Sequence, residues 1–310
     1  MILITGGTGF IGSHTVAALG RTGVRLRQLV HRRPAAIDDC TGGLELVQGD
    51  LTDPSSLVGL CTGVDTVVHL ASEAGNDEQI CTLVNVGGTR RLIDAARKAG
   101  VRRMIYLSTA AVYGDGGHTG INEDEISPAP VSPASRTRLS AERAVLAAGG
   151  VALRPMFVYG PGDVWFIPTL ARILRRLPVS IDGGQARLSL VAVDDLAAAI
   201  AALALGDWAP GGHGVLHAAH PEPVTVAELV ATLSVRLGVP TPACDVPFAQ
   251  ARELLDGDPR LVRQLELIAT DHFYAGLRLW ELTGVRPAGF AQRFAGYADW
   301  YRAALNGGRS

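Results

Sequence analysis

A glycine-rich loop close to the amino terminus constrains the fold of this chain more than any other feature. The string Thr5-Gly6-Gly7-Thr8-Gly9-Phe10-Ile11-Gly12 follows the apolar segment 2–4 and leads into a predicted helix that ends near residue 21. In such loops the first glycine permits a tight turn, the second lets backbone amides approach a pyrophosphate, and the third lets the helix pack closely on the strand. The alternative is an ordinary tight turn, but a strand before the loop and a helix after it favour dinucleotide binding. We therefore predict cofactor contacts from Gly6, Thr8, Gly9, Phe10, Ile11 and Gly12.

The first half of the chain alternates short β-branched segments with helical ones. This alternation is typical of a parallel sheet covered by helices on both faces. Asp53-Pro54 resembles a helix N-cap followed by proline, and longer helices are predicted over residues 78–100 and 135–148. Strands are predicted at residues 2–4, 25–30, 45–48, 66–69, 103–107 and 151–153. The pattern predicts an α/β fold with a Rossmann-type, doubly wound parallel sheet.

The pattern becomes less regular after Tyr159-Gly160-Pro161-Gly162, where glycine and proline separate shorter elements. We predict a dinucleotide-binding Rossmann domain over residues 1–160 and a smaller α/β substrate lobe over residues 161–310. The boundary is soft, because the segment 188–205 could return to the first sheet.

Composition excludes several classes of partner. The chain has 310 residues, 47% of them hydrophobic and 19% charged, with a net charge of −2, which favours an ordered globular protein. The arginines are scattered or paired, so no nucleic-acid surface is predicted. The four cysteines show neither CxxC spacing nor grouping with histidine, so neither a metal site nor a disulfide framework is predicted. The longest apolar run, residues 196–205, is about half the length of a membrane span. No targeting segment is visible, which favours a cytoplasmic location; no pattern in the sequence sets an oligomeric state.

The end of the second predicted strand indicates which nicotinamide cofactor binds. An acidic residue there would hold the ribose 2′-hydroxyl of NAD, whereas arginine accommodates the 2′-phosphate of NADP. This chain has Val30-His31-Arg32-Arg33 and no acid. A solvated basic turn is the alternative, but the pattern favours NADP(H), with His31, Arg32 and Arg33 as contacts.

The ends of the third and fourth predicted strands add further cofactor contacts. Asp50 could accept a hydrogen bond from the adenine amino group, with Leu51 beside it; a turn-forming aspartate is the alternative. After the fourth strand, Leu70, Ala71 and Ser72 would let the cofactor ribose lie close to the backbone.

Further strings extend the pattern almost to the carboxyl terminus, at residues 85–89, 106–114, 153–162, 193–197 and 282–287. With the glycine loop, they resemble the extended short-chain dehydrogenase/reductases, in the epimerase–dehydratase branch. The resemblance implies a Rossmann domain followed by a substrate lobe, with the reaction in the cleft between them. It also implies that Pro155, Phe157 and Val158 lie beside the cofactor.

The family that the chain resembles uses a Ser or Thr hydroxyl and a Tyr four residues before a Lys. Thr109 occupies the hydroxyl position, but the tyrosine position holds Ala134 and the lysine position holds Arg138. The departure does not depend on the alignment, because Lys98 is the one lysine of the chain and Asp94 stands four residues before it. Thr109 and Arg138 are therefore the catalytic candidates.

This loss changes the proton chemistry. Arginine does not give up its proton in proteins, so Arg138 is left to bind a ribose hydroxyl or to order water. Tyr113 and Tyr159 are the nearest other phenols, and structural packing is their alternative role. General acid catalysis typically contributes about 10² to 10⁴-fold, so its loss weakens reduction without forbidding it.

The sequence supports three functional hypotheses. The first is an NADPH-dependent ketoreductase for an aromatic polyketide or quinone-like ketone, in which a hydroxyl beside the carbonyl replaces the missing acid. The chain is similar in this respect to atypical angucyclinone-pathway reductases that lack the tyrosine, which suggests a role in antibiotic biosynthesis. The apolar candidates Met156, Phe157, Trp165 and Phe166 suit a flat aromatic ligand or, alternatively, an ordinary core.

The second hypothesis is a non-catalytic NADP(H)-binding sensor or scaffold, which the missing tyrosine and lysine would equally predict. The third is a nucleotide-sugar epimerase or dehydratase. It is disfavoured because such enzymes depend on the absent tyrosine, and because the arginine that the resemblance implies for the sugar pyrophosphate aligns with Leu188, one position from Arg187.

Overall fold

The computed structural model describes residues 1–32, 43–208, 212–255 and 257–307. In these residues the strands, in chain order, are β1 (Ile2–Thr5), β2 (Leu26–Val30), β3 (Leu44–Gln48), β4 (Thr66–His69), β5 (Arg103–Leu107), β6 (His118–Ile121), β7 (Val151–Arg154), β8 (Phe157–Tyr159), β9 (Ser180–Ile181), β10 (Arg187–Leu188), β11 (Leu190–Ala192), β12 (Val215–His217), β13 (Val224–Thr225), β14 (Asp245–Val246) and β15 (His272–Tyr274). The α-helices are α1 (Phe10–Gly20), α2 (Glu78–Cys81), α3 (Thr89–Lys98), α4 (Pro133–Ala147), α5 (Ile167–Arg176), α6 (Val193–Leu205), α7 (Val226–Leu237), α8 (Phe248–Leu254), α9 (Pro259–Ile268), α10 (Leu277–Thr283) and α11 (Phe290–Gly307). Short 3-10 helices span Pro54–Leu57, Ala110–Tyr113 and Asp182–Gly184, and a π-helix spans Thr82–Gly88.

The main sheet has seven parallel strands in the order β12-β7-β5-β4-β1-β2-β3. The chain runs outward from β1 to β3 and then continues on the other side of β1 with β4. The strand order therefore reverses between β1 and β4, and ligands of open α/β sheets bind at the carboxyl ends of strands at such a point. The predicted α/β class and all the predicted strands are confirmed. The strand β12 was not predicted, because its three residues form a strand only by pairing with β7.

Both faces of the main sheet are buried, which explains the apolar strands. Alternate residues of a strand point to opposite faces. Ile105 and Leu107 of β5 pack in a cluster with α1 and α6, while Met104 and Tyr106 pack in a cluster with α3 and α4.

Smaller sheets form the second half, in the orders β13-β10-β15-β6, β11-β8 and β14-β9. Their core includes side chains from α5, α7, α9 and α11. The segment 188–205 enters β10, β11 and α6, and α6 packs on the same face of the main sheet as α1. Strand β12 also joins the main sheet, so the chain returns to it after residue 160. The division at that residue stays a prediction.

Two helix predictions need correction at their ends or centre. Residues 78–98 do not form one α-helix, because the Thr82–Gly88 segment is a π-helix between α2 and α3. Helix α4 begins at Pro133, before the predicted start. Ser132 caps it through Ser135 in a capping box, and a proline at the first position suits a helix start. The predicted Asp53 cap is confirmed, since its side chain accepts a hydrogen bond from the amide of Ser55.

Candidate active site

The glycine loop lies at the switch point of the main sheet and has the shape of a cradle for an anion. Gly6 has φ +73°, and a Cβ built on it would lie 2.5 Å from the amide nitrogen of Ala71. A Cβ on Gly12 would lie 2.0 Å from the carbonyl oxygen of Gly6. Both glycines are therefore required by the packing of the loop itself.

Gly9 differs from its two neighbours because its open side faces solvent. It is exposed, and a Cβ built on it would contact the carbonyl oxygen of Gly6 alone, at 3.2 Å. Gly9 is the N-cap of α1 and offers no side-chain hydrogen bond, and the first turn holds no acidic residue. The first amides of a helix have no partner within it and attract anions. Thr8, Phe10 and Ile11 are half-buried around this point, and the whole cradle fits a pyrophosphate.

The ends of β2 and β3 bring His31 and Asp50 together. The His31 Nε2 atom lies 3.0 Å from Asp50 Oδ2, and Asp50 Oδ1 accepts a hydrogen bond from the Thr52 amide at 2.8 Å. Burial raises the pKa of Asp50, but the hydrogen bonds from Thr52 and the nearby His31 and Arg32 outweigh it, so this pKa lies below its ordinary value. Arg32 is exposed at the same edge. The predicted contact Arg33 lies outside the described residues.

A buried hydroxyl–imidazole chain supports the end of β4. The Thr5 hydroxyl lies 2.6 Å from His69 Nδ1, and His69 Nε2 lies 2.9 Å from the Thr89 hydroxyl. Burial lowers the pKa of His69 to about 3, so the ring is neutral. Beyond it, Leu70 is buried next to the half-buried Ala71 and the exposed Ser72. Leu51 is also buried, and its Cβ would lie 3.0 Å from a Cβ on Gly88.

Asn85 is a site residue that the sequence reasoning did not select. Its side-chain oxygen accepts a hydrogen bond from the Glu73 amide at 2.7 Å, and its amide group donates to the Glu73 carbonyl and to the Thr137 hydroxyl, both at 2.9 Å. Asn85 thereby joins the loop after β4 to α4. It lies in the π-helix, and π-helical turns are frequent at functional sites.

Thr109 follows β5 on the same sheet edge as the glycine loop. It is half-buried and caps the Ala110–Tyr113 helix, where its hydroxyl oxygen accepts a hydrogen bond from the Ala111 amide at 3.2 Å. This contact occupies a lone pair, so the O–H remains able to donate to a substrate oxygen.

Helix α4 places Ala134 and Arg138 beside this strand end. Arg138 Nη2 donates to the carbonyl oxygens of Leu107 at 3.0 Å and Ser108 at 2.7 Å, so the guanidinium fixes the backbone just before Thr109. Ala134 is half-buried and presents a methyl group, which cannot transfer a proton.

Three buried polar atoms near β5 have no hydrogen-bond partner within the described part of the chain. They are Tyr106 Oη, Ser108 Oγ and Arg138 Nε. Burial raises the pKa of Tyr106 to about 12, although Arg138 lowers it in part. Buried polar groups normally find partners, so these three atoms are exceptions within the described residues. Sequence alone did not indicate these atoms, because whether a polar group has a partner depends on its neighbours in the fold.

The comparison with protein-family models settles the family. The model described as "NAD dependent epimerase/dehydratase family" matches residues 2–212. The chain belongs to this family. The resemblance and the α/β fold predicted from sequence are thereby confirmed.

Relatives within the epimerase/dehydratase family cover most of the chain. The 2-alkyl-3-oxoalkanoate reductase of Stenotrophomonas maltophilia is 31% identical over 301 residues, or 88% of this chain and 91% of the relative. The 4-hydroxy-2-methyl-3-oxo-4-farnesyl-3,4-dihydroquinoline-1-oxide ketoreductase of Stigmatella aurantiaca is 30% identical over 261 residues, or 80% and 77%. The solved structure of MoeE5 in complex with UDP-glucose and NAD has a TM-score of 0.75 at 28% identity, over 98% of this chain and 99% of that one. The prediction of an oxidoreductase is confirmed by the family and these named enzymes.

Pro155, Phe157 and Val158, which the resemblance places beside the cofactor, follow the end of β7 in the chain. Pro155 is buried and its carbonyl oxygen accepts a hydrogen bond from the Ala110 amide at 2.8 Å, which joins β7 to the segment after Thr109. Val158 is half-buried. Phe157 is buried and stacks on Phe166 at 4.6 Å between ring centroids. The four residues predicted to suit an aromatic ligand therefore do not form one surface. Phe157 and Phe166 pack in the core, whereas Trp165 is 77% exposed and Met156 is half-buried.

Tyr113 and Tyr159, the spare phenols, are both engaged in packing. Tyr113 Oη accepts a hydrogen bond from Arg154 Nη1 at 2.8 Å and lies 2.6 Å from His217 Nε2. Burial lowers the pKa of His217 to about 4, and its Nδ1 lies 3.0 Å from the Ala275 carbonyl, so in the neutral ring Nδ1 donates and Nε2 accepts from Tyr113. The Glu123 carbonyl oxygen lies 3.2 Å from the same hydroxyl. Burial raises the pKa of Tyr113 and that of the buried Tyr159. Neither phenol is placed as an acid for the cleft.

Two kinds of feature are absent from the described residues. No group of three or more His, Cys, Asp or Glu side chains there could hold a metal ion. No helix in the same residues is long and apolar enough to cross a membrane.

A protonated histidine in α1 connects this helix to the second half of the chain. His14 of α1 has Nδ1 2.6 Å from Asp194 Oδ1 and Nε2 2.8 Å from the Pro161 carbonyl oxygen. Both partners accept, so both ring nitrogens carry protons. Burial lowers the pKa of His14, but these hydrogen bonds outweigh it and raise this pKa above 6.5. The Tyr297 hydroxyl donates to Asp194 at 2.7 Å, and the pKa of Asp194 falls to about 2 chiefly through the hydrogen bond with His14.

We expect His14→Gln to lower the free energy of unfolding at pH 6 and to have a smaller effect at pH 9. Because the folded-state pKa of His14 is raised, its contribution is complete below 6.5 and is lost as pH rises through the folded value. Urea unfolding of both proteins at the two pH values measures this difference. His220→Gln, which lies outside this network, is the control. An effect of His14→Gln that does not change with pH would show that the ring is not protonated.

Proposed function

We propose that the chain is an NADPH-dependent ketoreductase for an aromatic polyketide or quinone-like ketone with an acidic hydroxyl beside the carbonyl. The observation on which this rests is the composition of the strand end: Thr109 retains a hydroxyl that can donate, whereas α4 offers Ala134, and Arg138 is bound to backbone carbonyls. A reductase with a cofactor cradle and no protein acid beside it must take the proton from its substrate or from water.

Two relatives support the reduction of a ketone. The Stigmatella enzyme is named for a substrate with a 3-oxo group and a 4-hydroxy group on neighbouring ring atoms. The Stenotrophomonas enzyme is named for a 3-oxoalkanoate, whose carboxylate is two carbons from the ketone. In both names an oxygen-bearing group lies within a few bonds of the carbonyl that is reduced.

The reaction adds a hydride to the carbonyl carbon and a proton to the carbonyl oxygen. When bound, a reduced nicotinamide cofactor supplies the hydride and ends in its oxidised form. The Thr109 hydroxyl donates a hydrogen bond to the substrate oxygen and orients the carbonyl. The neighbouring substrate hydroxyl gives its proton to that oxygen and is reprotonated by water. Arg138 is a positioning residue, because it holds the backbone of Leu107 and Ser108.

The cofactor assignment follows from the same sheet edge. Gly6, Gly9 and Gly12 would hold the pyrophosphate, and Arg32 with Arg33 would hold a 2′-phosphate, because no acid follows Val30. The His31–Asp50 pair and the residues after β4 would face the adenosine part. The family description names NAD, so the cofactor class is a nicotinamide dinucleotide. Within that class, binding of the 2′-phosphate distinguishes NADP from NAD.

We expect NADPH to bind more tightly than NADH, by on the order of tenfold or more, since hydrogen bonds to charged groups contribute about 1.5–3 kcal/mol. Calorimetric titration of both cofactors measures the ratio. The Arg32→Ala/Arg33→Ala variant should lose the preference, and Arg102→Ala, another exposed arginine, should keep it. Equal affinities in the unaltered protein would contradict the assignment.

The alternative is a non-catalytic NADP(H)-binding protein, which the alanine and arginine in the acid positions also fit. Turnover distinguishes the two functions. We expect NADPH oxidation with at least one hydroxylated quinone or polyketide ketone, together with an alcohol product two mass units heavier than the ketone. Tight NADPH binding without oxidation across such a panel would favour the sensor or scaffold.

Sugar-nucleotide chemistry has less support at the position of the expected arginine. Leu188 is fully buried there, and the adjacent Arg187 donates to Asp271 at 3.2 Å and lies over the Phe273 ring at 4.2 Å. Arg187 is therefore already partnered. In the proposed enzyme, residues 1–160 bind the cofactor and supply Thr109, and residues 161–310 form the substrate lobe. An antibiotic pathway remains our expectation for its role.

A further inference from the structure

An apolar cavity of about 220 Å³ lies in the second half of the chain, between α5, α7 and α9. Neither the glycine loop nor Thr109 lines this cavity, so it is separate from the candidate active site. Protein interiors are packed so closely that voids larger than a water molecule are few. A cavity of this size is therefore a feature to be explained.

The cavity has a closed floor and an open mouth. Its floor is formed by buried aliphatic side chains of α5 and α9, including Ile173, Leu174 and Leu265. At its mouth, Ala227 and Ala231 of α7 and Thr241 are exposed. Two alanines on successive turns of a helix leave an entrance that larger side chains would close.

The lining selects for a flexible aliphatic ligand. The described residues that line it include no aromatic ring and no charged side chain. Ser180 and Thr241 are the hydroxyl groups among them. Aromatic ligands are commonly held by stacking on protein rings, which this lining does not offer. A cavity of about 150 Å³ lined by aliphatic groups is large enough to bind benzene, so this one has room for more than six carbon atoms.

A strained turn forms one side of the entrance. Asp182 has φ 47°, the one non-glycine residue with positive φ in the described chain, and Gly184 behind it lines the cavity. A Cβ on Gly184 would lie 2.9 Å from the Ala227 amide nitrogen. The Gly183 amide donates to Asp245 at 2.7 Å, which holds the turn. Such strain clusters at ligand sites, and the carboxylates of Asp182 and Asp245 disfavour an acid group at this side.

We propose that this cavity binds an uncharged aliphatic chain of about six or more carbon atoms. The aliphatic ligand enters between α7 and the Asp182–Gly184 turn and lies against the buried floor. It is either the tail of the ketone that is reduced or a separate neutral lipid. Binding itself requires neither the cofactor nor turnover.

Calorimetric titration of the full chain with 1-octanol, 1-butanol and octanoate tests the site. We expect 1-octanol to bind at least tenfold more tightly than 1-butanol, and octanoate to bind more weakly than 1-octanol. Ala231→Phe should weaken 1-octanol binding at least tenfold and leave NADPH binding unchanged. Val235→Phe adds the same ring on the same helix at an 81% exposed position that does not line the cavity, and should bind 1-octanol normally.

Equal binding of 1-octanol by Ala231→Phe and Val235→Phe, or no dependence on chain length, would overturn the site. If Ala231→Phe fails to bind NADPH or to fold, the chain-length series on the unaltered protein decides alone. Turnover with octyl and methyl forms of one ketone shows whether the bound aliphatic group is the substrate tail or a separate lipid. A KM that rises in Ala231→Phe for the octyl form alone identifies the substrate tail, and unchanged KM values with lost octanol binding identify a separate lipid.

Discussion

Gly9→Val is expected to abolish NADPH binding while the chain stays folded. The backbone at Gly9 has φ −81° and ψ 177°, an extended conformation that valine adopts readily. The added side chain would contact the Gly6 carbonyl but would otherwise project from the exposed side of the loop, where the pyrophosphate should lie. Affinity should fall on the order of 10²-fold or more, which corresponds to about 2.8 kcal/mol or more.

The measurement is a calorimetric titration with NADPH, accompanied by circular dichroism. Gly289→Val is the matched control, because Gly289 is exposed and a Cβ there would meet nothing within 4 Å. Gly12→Ala should behave differently from both and lower stability, since its Cβ would lie 2.0 Å from the Gly6 carbonyl. Normal NADPH binding by a folded Gly9→Val protein would show that the loop is not the pyrophosphate site.

The main sheet could be predicted because its signals are local. Short apolar strands buried on both faces, followed by glycine or a capping residue, occur within a few residues of each other in the sequence. The π-helix around Asn85 was not predicted, and the Asn85 side chain bonds to Glu73 and Thr137, 12 and 52 residues away, which no local pattern indicates. Strand β12 was missed for a similar reason, since three residues become a strand only beside β7.

The candidate site was predicted in part. The resemblance placed Thr109 and Arg138, and the structure brings both to the end of β5. The resemblance could not indicate that Arg138 bonds to the carbonyls of Leu107 and Ser108, because that depends on the conformation of a long side chain. Nor could an apolar pattern separate Phe166, which packs in the core, from the exposed Trp165. The roles assigned to these residues stay predictions.

Removing the acidic hydroxyl beside the substrate ketone is expected to slow reduction on the order of 10²-fold or more, because that group replaces a general acid. Methylation of the hydroxyl removes the proton and keeps the oxygen. Thr109→Val should have a smaller effect, since it removes one hydrogen bond to the carbonyl oxygen. These comparisons require single-turnover rates, so that product release does not conceal the chemical step.

Restoring the tyrosine and lysine provides the matched test on the protein side. Ala134→Tyr/Arg138→Lys should not raise the rate on the hydroxylated ketone by the usual factor of general acid catalysis. The new ring would replace the half-buried methyl group of Ala134, and the shorter lysine would have to reach both carbonyls, of Leu107 and Ser108, to which Arg138 Nη2 donates. A gain confined to the methylated ketone would agree with substrate assistance, because the new phenol would then supply the missing proton.

The most direct measurement is single-turnover NADPH oxidation by the unaltered protein with a hydroxylated ketone and its methoxy counterpart. Saturating amounts of both ketones separate the chemical step from binding. We predict that the methoxy ketone is reduced on the order of 10²-fold more slowly. Equal rates for the two ketones would contradict a proton supplied by the substrate.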